Sequence, residues 1–132
     1  MNLIFDATLS PRLARVLKTL LEPEHSATHI RDALGHDATD QRIGAFIQST
    51  GDAMMVTVDL DISDNPHRIA ALREWNCPVV LISSAWLELK PWDQAWMFLR
   101  LVPALLNKCQ ALPGAPVYLV APGMKGRIRK IA

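Results

Sequence analysis

Short apolar runs alternate along this chain with stretches in which apolar residues recur every three or four positions, the rhythm of strands followed by helices. Leu3-Ile4-Phe5 ends on Asp6 and predicts a first strand; Ser10-Pro11, a capping hydroxyl and a proline at the first helical position, opens a helix to about Leu21. Leu13, Val16, Leu17, Leu20 and Leu21 form its predicted buried stripe. Ala27 to Ile30 reads as a short second strand, and Arg31 to Ala38 as a loop. Thr39-Asp40 caps a helix with Ile43, Phe46 and Ile47 inward, ending at Ser49-Thr50-Gly51. Met54 to Val58 is a third strand, Asn65-Pro66 opens a helix through Trp75, and Pro78 to Ser83 is a fourth, continuously apolar strand of the kind a parallel sheet buries on both faces. Pro91 begins a long helix in which Trp92, Trp96, Leu99 and Leu106 read as core and Pro103 as a kink or an end. Pro116 to Ala121 predicts a fifth strand at a sheet edge, before Pro122-Gly123 and a basic tail.

This order predicts an α/β fold with a mainly parallel sheet of four to five strands. With 132 residues there is chain for one domain, expected over 1–121, with 122–132 as the tail. Half the residues are hydrophobic and a fifth charged, which is globular composition, and no apolar stretch reaches membrane-spanning length. Three apolar residues ahead of Asp6 are too few for a secretory signal core. Cys77 and Cys109 have no metal-ligand spacing and fit reduced thiols, so a cytoplasmic location is expected. The formal net charge is +1, so an anionic partner would be held by local basic groups: Arg12 and Arg15 on the first helix, and Lys125, Arg127, Arg129 and Lys130 in the tail.

The aspartates carry the chemistry. Asp6 and Asp59 end strands, and in an open α/β sheet ligands bind outside the strand C-termini. Asp32, in the loop after strand two, and Asp40, at the next helix N-terminus, belong to the same edge. Asp61 joins them if the third strand continues, since alternate residues share a face. Crowded carboxylates are costly without a cation, and magnesium or manganese suits an oxygen-rich site that leaves room for phosphate. Such an ion generates a nucleophilic water and offsets charge at phosphorus. Simpler duties compete: Asp40 can favour a helix dipole, and Asp32 can serve a turn. Asp37 and Asp64 are set aside as turn and helix-entry residues. His25, His29 and His36 fall in loop and strand without a cysteine, against a zinc site, and there is no phosphate-cradling glycine loop.

Phe5-Asp6 followed by Leu9-Ser10-Pro11-Arg12-Leu13, His29-x-Arg31-Asp32, Thr39-Asp40-x-x-Ile43 and Val56-Thr57-x-Asp59-x-Asp61 together resemble the small PIN-like domains related to VapC toxins, over about residues 2 to 83. The resemblance implies a three-layer α/β/α sandwich whose acidic edge binds Mg2+ or Mn2+ and hydrolyses RNA. Asp6, Asp40 and Asp59 would then be metal-binding catalytic carboxylates and Asp61 a fourth, with Thr57 steadying one of them and Asp32 and Ser10 in support. Arg12, Arg15 and the tail cations would hold RNA phosphates. A small antitoxin is the partner such proteins commonly have, and a homo-oligomer stays open. The chain departs from the family at Ala7-Thr8, where an acid and an amide are usual, and at Ile62, where an aromatic is usual.

Two other readings stand beside this one. Asp59-Leu60-Asp61 with Pro78 to Ser83 and Lys90-Pro91 is similar to a receiver domain, in which a strand-end aspartate accepts a phosphoryl group. That pattern requires an acidic pair after strand one, where this chain has Asp6-Ala7, and more chain between Ser83 and Lys90. A catalytically silent PIN-like module that binds RNA or protein is the third.

Overall fold

The computed structural model describes residues 1–111, 114–121 and 127–132. Its elements run β1 (Asn2–Phe5), α1 (Pro11–Leu21), β2 (Ser26–His29), α2 (Ile30–Leu34), α3 (Asp40–Thr50), β3 (Ala53–Asp59), α4 (Pro66–Arg73), β4 (Val79–Ser83), a 3-10 helix (Ser84–Glu88), α5 (Pro91–Ala111), β5 (Val117–Ala121) and β6 (Arg127–Lys130). The sheet order is β2-β1-β3-β4-β5-β6. Strands β1 to β5 are parallel to their neighbours, and β6 returns antiparallel along β5. The chain steps outward from β1 to β2 and then back to the other side at β3. The β1/β3 junction is therefore a topological switch point, where open α/β sheets leave a crevice for ligands.

The pleat sorts the core into two layers. Leu3, Phe5, Met54, Val56, Val58, Val80 and Ile82 face α1 and α5, while Ile4, Met55, Val79 and Leu81 face Ile43 and Ile47 of α3 and Leu72 of α4. Helices on both faces of a mostly parallel sheet make a three-layer α/β/α sandwich. Local chemistry sets the helix starts. Ser10 Oγ accepts from the Arg12 N–H at 3.2 Å with Pro11 in the first turn, Thr39 Oγ1 accepts from the Arg42 N–H at 3.2 Å, and Asn65 Oδ1 accepts from His67 and Arg68.

Four expectations change. In α1 the buried residues are Leu13, Ala14 and Leu17, while Val16 and Leu20 are 46 % and 60 % exposed. The sheet and α5 cover only part of the apolar stripe. In α5 the core is Phe98, Leu101, Val102, Leu105 and Cys109, while Trp92 and Trp96, expected inside, are 64 % and 38 % exposed. The α-helix runs through Pro103, because that buried face offsets the missing hydrogen bond. Ile30, expected to end the second strand, and residues 31–34, expected in a loop, form α2, whose N-cap is the His29 ring. Finally, the segment read as a tail supplies β6, so β5 is internal. Ile128 packs against the core, while Arg129 and Lys130 stay exposed, a charged edge of the sort that discourages further strand pairing.

Candidate functional site

Register brings the first two acidic strands together. Phe5 pairs with Val56, so Asp6 sits opposite Thr57, and the Asp6 N–H donates to the Val56 carbonyl at 2.9 Å. Asp6, Thr57 and Asp59 share the pleat parity of Ile4 and Met55, which places all three on the α3/α4 side of the sheet. The buried Thr57 hydroxyl donates to Asp6 Oδ2 at 2.8 Å, and Thr8 Oγ1 donates to the same oxygen at 3.4 Å. Asp6 is thereby fixed through one oxygen, and Oδ1 has no hydrogen-bond partner among the described residues. Asp59 lies two residues beyond Thr57, so strand spacing separates the Asp6 and Asp59 Cα atoms by roughly 8 Å.

The third carboxylate comes from a helix start. Thr39 performs the capping of α3, which leaves Asp40 in the first turn without that duty. Its carboxylate is exposed and makes no hydrogen bond or ion pair among the described residues. Asp6 and Asp40 both line a cleft of about 250 Å³, together with Arg31, His36 and Asp37. Arg31 is aimed there by the turn into α2. The Arg31 N–H donates to His29 Nδ1 at 3.0 Å, so Nε2 carries the proton and donates to the Leu9 carbonyl at 2.7 Å. This buried histidine is fully engaged with backbone, away from any zinc role.

The sequence offers Arg31 only inside the His29-x-Arg31-Asp32 motif and His36 only among histidines weighed for zinc, and it sets Asp37 aside as a turn residue. The signal was present in Gly35-His36-Asp37: Gly35 has φ +80° and Asp37 φ +59°, a left-handed turn that glycine and aspartate tolerate. That turn folds the α2–α3 connection over the sheet edge instead of away from it.

The remaining candidates fall elsewhere. Asp59 is half-buried and turns both oxygens to its own loop: Oδ1 accepts from the Ser63 N–H at 2.9 Å and Oδ2 from Ser63 Oγ at 2.6 Å. It does not line the cleft of Asp6 and Asp40. Asp61 does not continue the strand alternation, because β3 ends at Asp59 and Asp61 is left-handed at φ +61°. Asp32 and Arg15 pair with each other on the surface, Nη2 to Oδ1 at 2.8 Å and Nε to Oδ2 at 3.1 Å. The hydrogen bond from Arg15, reinforced by its charge, holds the Asp32 carboxyl below the usual aspartate range. Each side chain thus has the other as its partner on the surface. Ser10 is a helix cap, and Arg12 lines a different groove between α1 and α5. Arg127, Arg129 and Lys130 belong to β6, three strands from β3 and so about 14 Å across the sheet, and Lys125 lies outside the described residues.

Among the described residues no group of three or more His, Cys, Asp or Glu side chains is arranged to hold a metal ion. The donor chemistry nevertheless suits magnesium, which is commonly bound through one or two carboxylates with water and phosphate completing its shell. Asp6 and Asp40 are two such carboxylates with open oxygens, and the cleft between them has room for water and a phosphate. Asp59 has lone pairs left after its bonds to Ser63.

No helix among the described residues is long and apolar enough to cross a membrane. No curated protein and no solved structure matches the chain. A family model described as PIN like domain matches residues 1–84, the stretch that contains β1 to β4 and every residue of the acidic cleft. By that match, which spans more than half its length, the chain belongs to the PIN-like domain family.

Proposed function

We propose that this chain is a magnesium- or manganese-dependent ribonuclease of PIN-like type. The observation that carries the reading is the cleft beyond the C-terminal ends of β1 and β2, where Asp6 and Asp40 open beside Arg31, His36 and Asp37. Asp6 and Asp40 would hold the ion; Asp59, on the neighbouring strand and outside that cleft, would join them only by turning an oxygen away from Ser63. When bound, the ion supplies charge neutralisation at phosphorus and a water acidic enough to attack it. Thr57 holds Asp6 through Oδ2, which leaves Oδ1 available to a ligand. Arg31 forms no ion pair among the described residues, and its guanidinium would clamp the phosphate by paired N–H donors. His36 adds a ring nitrogen within the same cleft to hydrogen-bond a phosphate oxygen. The test is cleavage of a single-stranded RNA of mixed sequence in Mg2+, in Mn2+ and in EDTA, with Asp6→Asn and Asp40→Asn as controls. Activity that survives EDTA, or survives both substitutions, overturns the proposal.

The toxin role has its own support. A groove of about 420 Å³ between α1 and α5 is walled by Leu13, Val16, Trp92, Trp96 and Leu99, with Arg12 at its side. Such exposed apolar surface seats an amphipathic partner helix. An antitoxin with apolar and acidic side chains is the partner that fits. A neighbouring small gene product that co-purifies with the wild type and not with Trp92→Glu supports this role; intact growth on expression of the chain alone removes it.

A phosphoacceptor role is favoured by one observation, the strand order, since receiver-type sheets share the 2-1-3-4-5 arrangement. Against it, both oxygens of Asp59 are held by Ser63. Incubation with acetyl phosphate separates the two: a receiver gains a labile phosphoryl group on Asp59, and a nuclease does not.

A further inference from the structure

A second cavity opens beside the acidic cleft. It occupies about 490 Å³ between α3, α4 and the loop after β3, and Asp40 lines both spaces. Its size is that of small-molecule sites, and its lining has their character, with apolar walls and a few polar groups. Ile62 and Leu72 form the apolar side and Trp75 a flat one. The indole packs beside α3. It lies alongside Gly44 of α3, where a Cβ would meet Trp75 Cδ1 at an ordinary contact distance of 3.5 Å, and Gln48 Nε2 donates to the Trp75 carbonyl at 3.0 Å. The polar groups are Gln41, Arg68 and Glu74. Arg68 is oriented by one bond, Nη1 to the Leu60 carbonyl at 2.8 Å, which leaves its other N–H groups without an acceptor among the described residues. The side chains of Gln41 and Glu74 have no hydrogen-bond or ion-pair partner among the described residues.

We propose that this pocket is a guanine-binding subsite for the nucleotide next to the phosphate held in the acidic cleft. The proposal rests on the ribonuclease reading for its place beside a phosphate, and on the pocket's own chemistry for its ligand. Guanine presents two acceptors, O6 and N7, on one edge and donors, N1–H and the N2 amino group, next to them. Arg68 and Gln41 supply donors for the first pair, and Glu74 accepts from the second. Trp75 supplies the surface on which the ring stacks. Adenine would turn its amino group toward the donors of Arg68, and it has no N–H at N1 to give Glu74. A pyrimidine is too short to meet both sets of groups at once.

Calorimetric titration with guanosine, adenosine, cytidine and uridine, without divalent metal, tests the pocket separately from cleavage. Guanosine is expected to bind about tenfold or more tightly than the other three, and Glu74→Gln, which keeps size and removes the charge, should weaken it by about tenfold or more. Trp75→Phe should keep the preference at lower affinity. Equal binding of all four nucleosides, no binding, or an unchanged affinity in Glu74→Gln overturns the proposal. Guanosine binding of this kind in a chain that cuts no RNA would retain the pocket and remove the ribonuclease. Metal-dependent cleavage that vanishes in Asp6→Asn, by a chain that binds no guanosine, would do the reverse.

Discussion

Replacing Thr57 by valine removes one hydroxyl and leaves shape and burial almost unchanged. The lost bond is the 2.8 Å donation to Asp6 Oδ2, from a residue only 4 % exposed to a half-buried carboxylate. Hydrogen bonds to charged groups contribute about 1.5–3 kcal/mol, with the larger values where the orphaned partner is cut off from water. Asp6 reaches solvent through the cleft, so water can replace much of the bond. The expected cost is therefore at or just below the bottom of that range, about 1–1.5 kcal/mol. Urea unfolding of wild type, Thr57→Val, Asp6→Ala and the double variant forms a cycle that isolates the pair. Asp6→Ala alone strands a buried hydroxyl, whereas the double variant strands nothing. The coupling should be about 1–2 kcal/mol favourable. A coupling within about 0.3 kcal/mol of zero would mean that Thr57 does not hold Asp6, and the argument for an oriented carboxylate would fail.

Asp59→Ala should cost about 1–3 kcal/mol, because it orphans both Ser63 donors and loosens the β3–α4 loop, whereas Asp40→Ala should cost only about 0.3–1 kcal/mol, the loss of an exposed first-turn charge on α3; a larger loss in Asp40→Ala than in Asp59→Ala would contradict their different surroundings. Gly44→Ala should stabilise by about 0.5–1 kcal/mol, since Gly44 lies inside α3 and the added methyl meets Trp75 at an ordinary 3.5 Å; a lower melting temperature would show that the indole has no room. Burial pushes the Cys77 and Cys109 thiols up to about 11 from 9.0, so both should resist Ellman's reagent at pH 8 until the chain unfolds. Because the folded state holds these protons more tightly, their contribution is complete below pH 9 and is lost as pH rises toward 11; stability flat across that window would contradict the burial. In Arg15→Gln the Asp32 carboxyl should titrate back in the ordinary aspartate range by carbon-detected NMR, and the small stabilisation that wild type loses as pH falls through the Asp32 titration should vanish.

The parts of the fold legible in the sequence were those decided by neighbours in the chain. Ser10-Pro11, Thr39 and Asn65 mark helix starts through bonds that span two or three residues, and the apolar runs ending at Phe5, Val58 and Ser83 need no distant information to be strands. Burial within an amphipathic stripe is a different kind of fact. Val16 and Leu13 are equally apolar, and only the position of α5 leaves one exposed and the other covered. The same holds for Trp92, whose helical spacing suits a core that Phe98 and Leu105 occupy instead. β6 was illegible because Arg-Ile-Arg-Lys gains its place from pairing with β5, not from its own pattern.

The site divides in the same way. Asp6 and Asp59 could be placed from strand ends, and the Thr57–Asp6 bond follows from the register of β1 on β3. Asp61 could not, since the alternation rule fails once the backbone turns left-handed. Arg31, His36 and Asp37 enter through a turn whose direction depends on how α2 and α3 pack. Arg15 and Asp32, 17 positions apart, neutralise each other through tertiary proximity that neither helix announces.

Thermal unfolding with and without divalent cation tests most directly whether the Asp6 and Asp40 cleft is a metal centre. A ligand at ten times its dissociation constant stabilises the folded state by about 1.4 kcal/mol, which for a chain of this length raises the melting temperature by about 5 °C. Wild type should show that rise in millimolar Mn2+ or Mg2+, and Asp6→Asn and Asp40→Asn should each lose it while melting normally in EDTA. A wild type whose melting is indifferent to both ions, or variants that respond as the wild type does, would contradict the metal-dependent ribonuclease and leave a PIN-like module that binds without cutting.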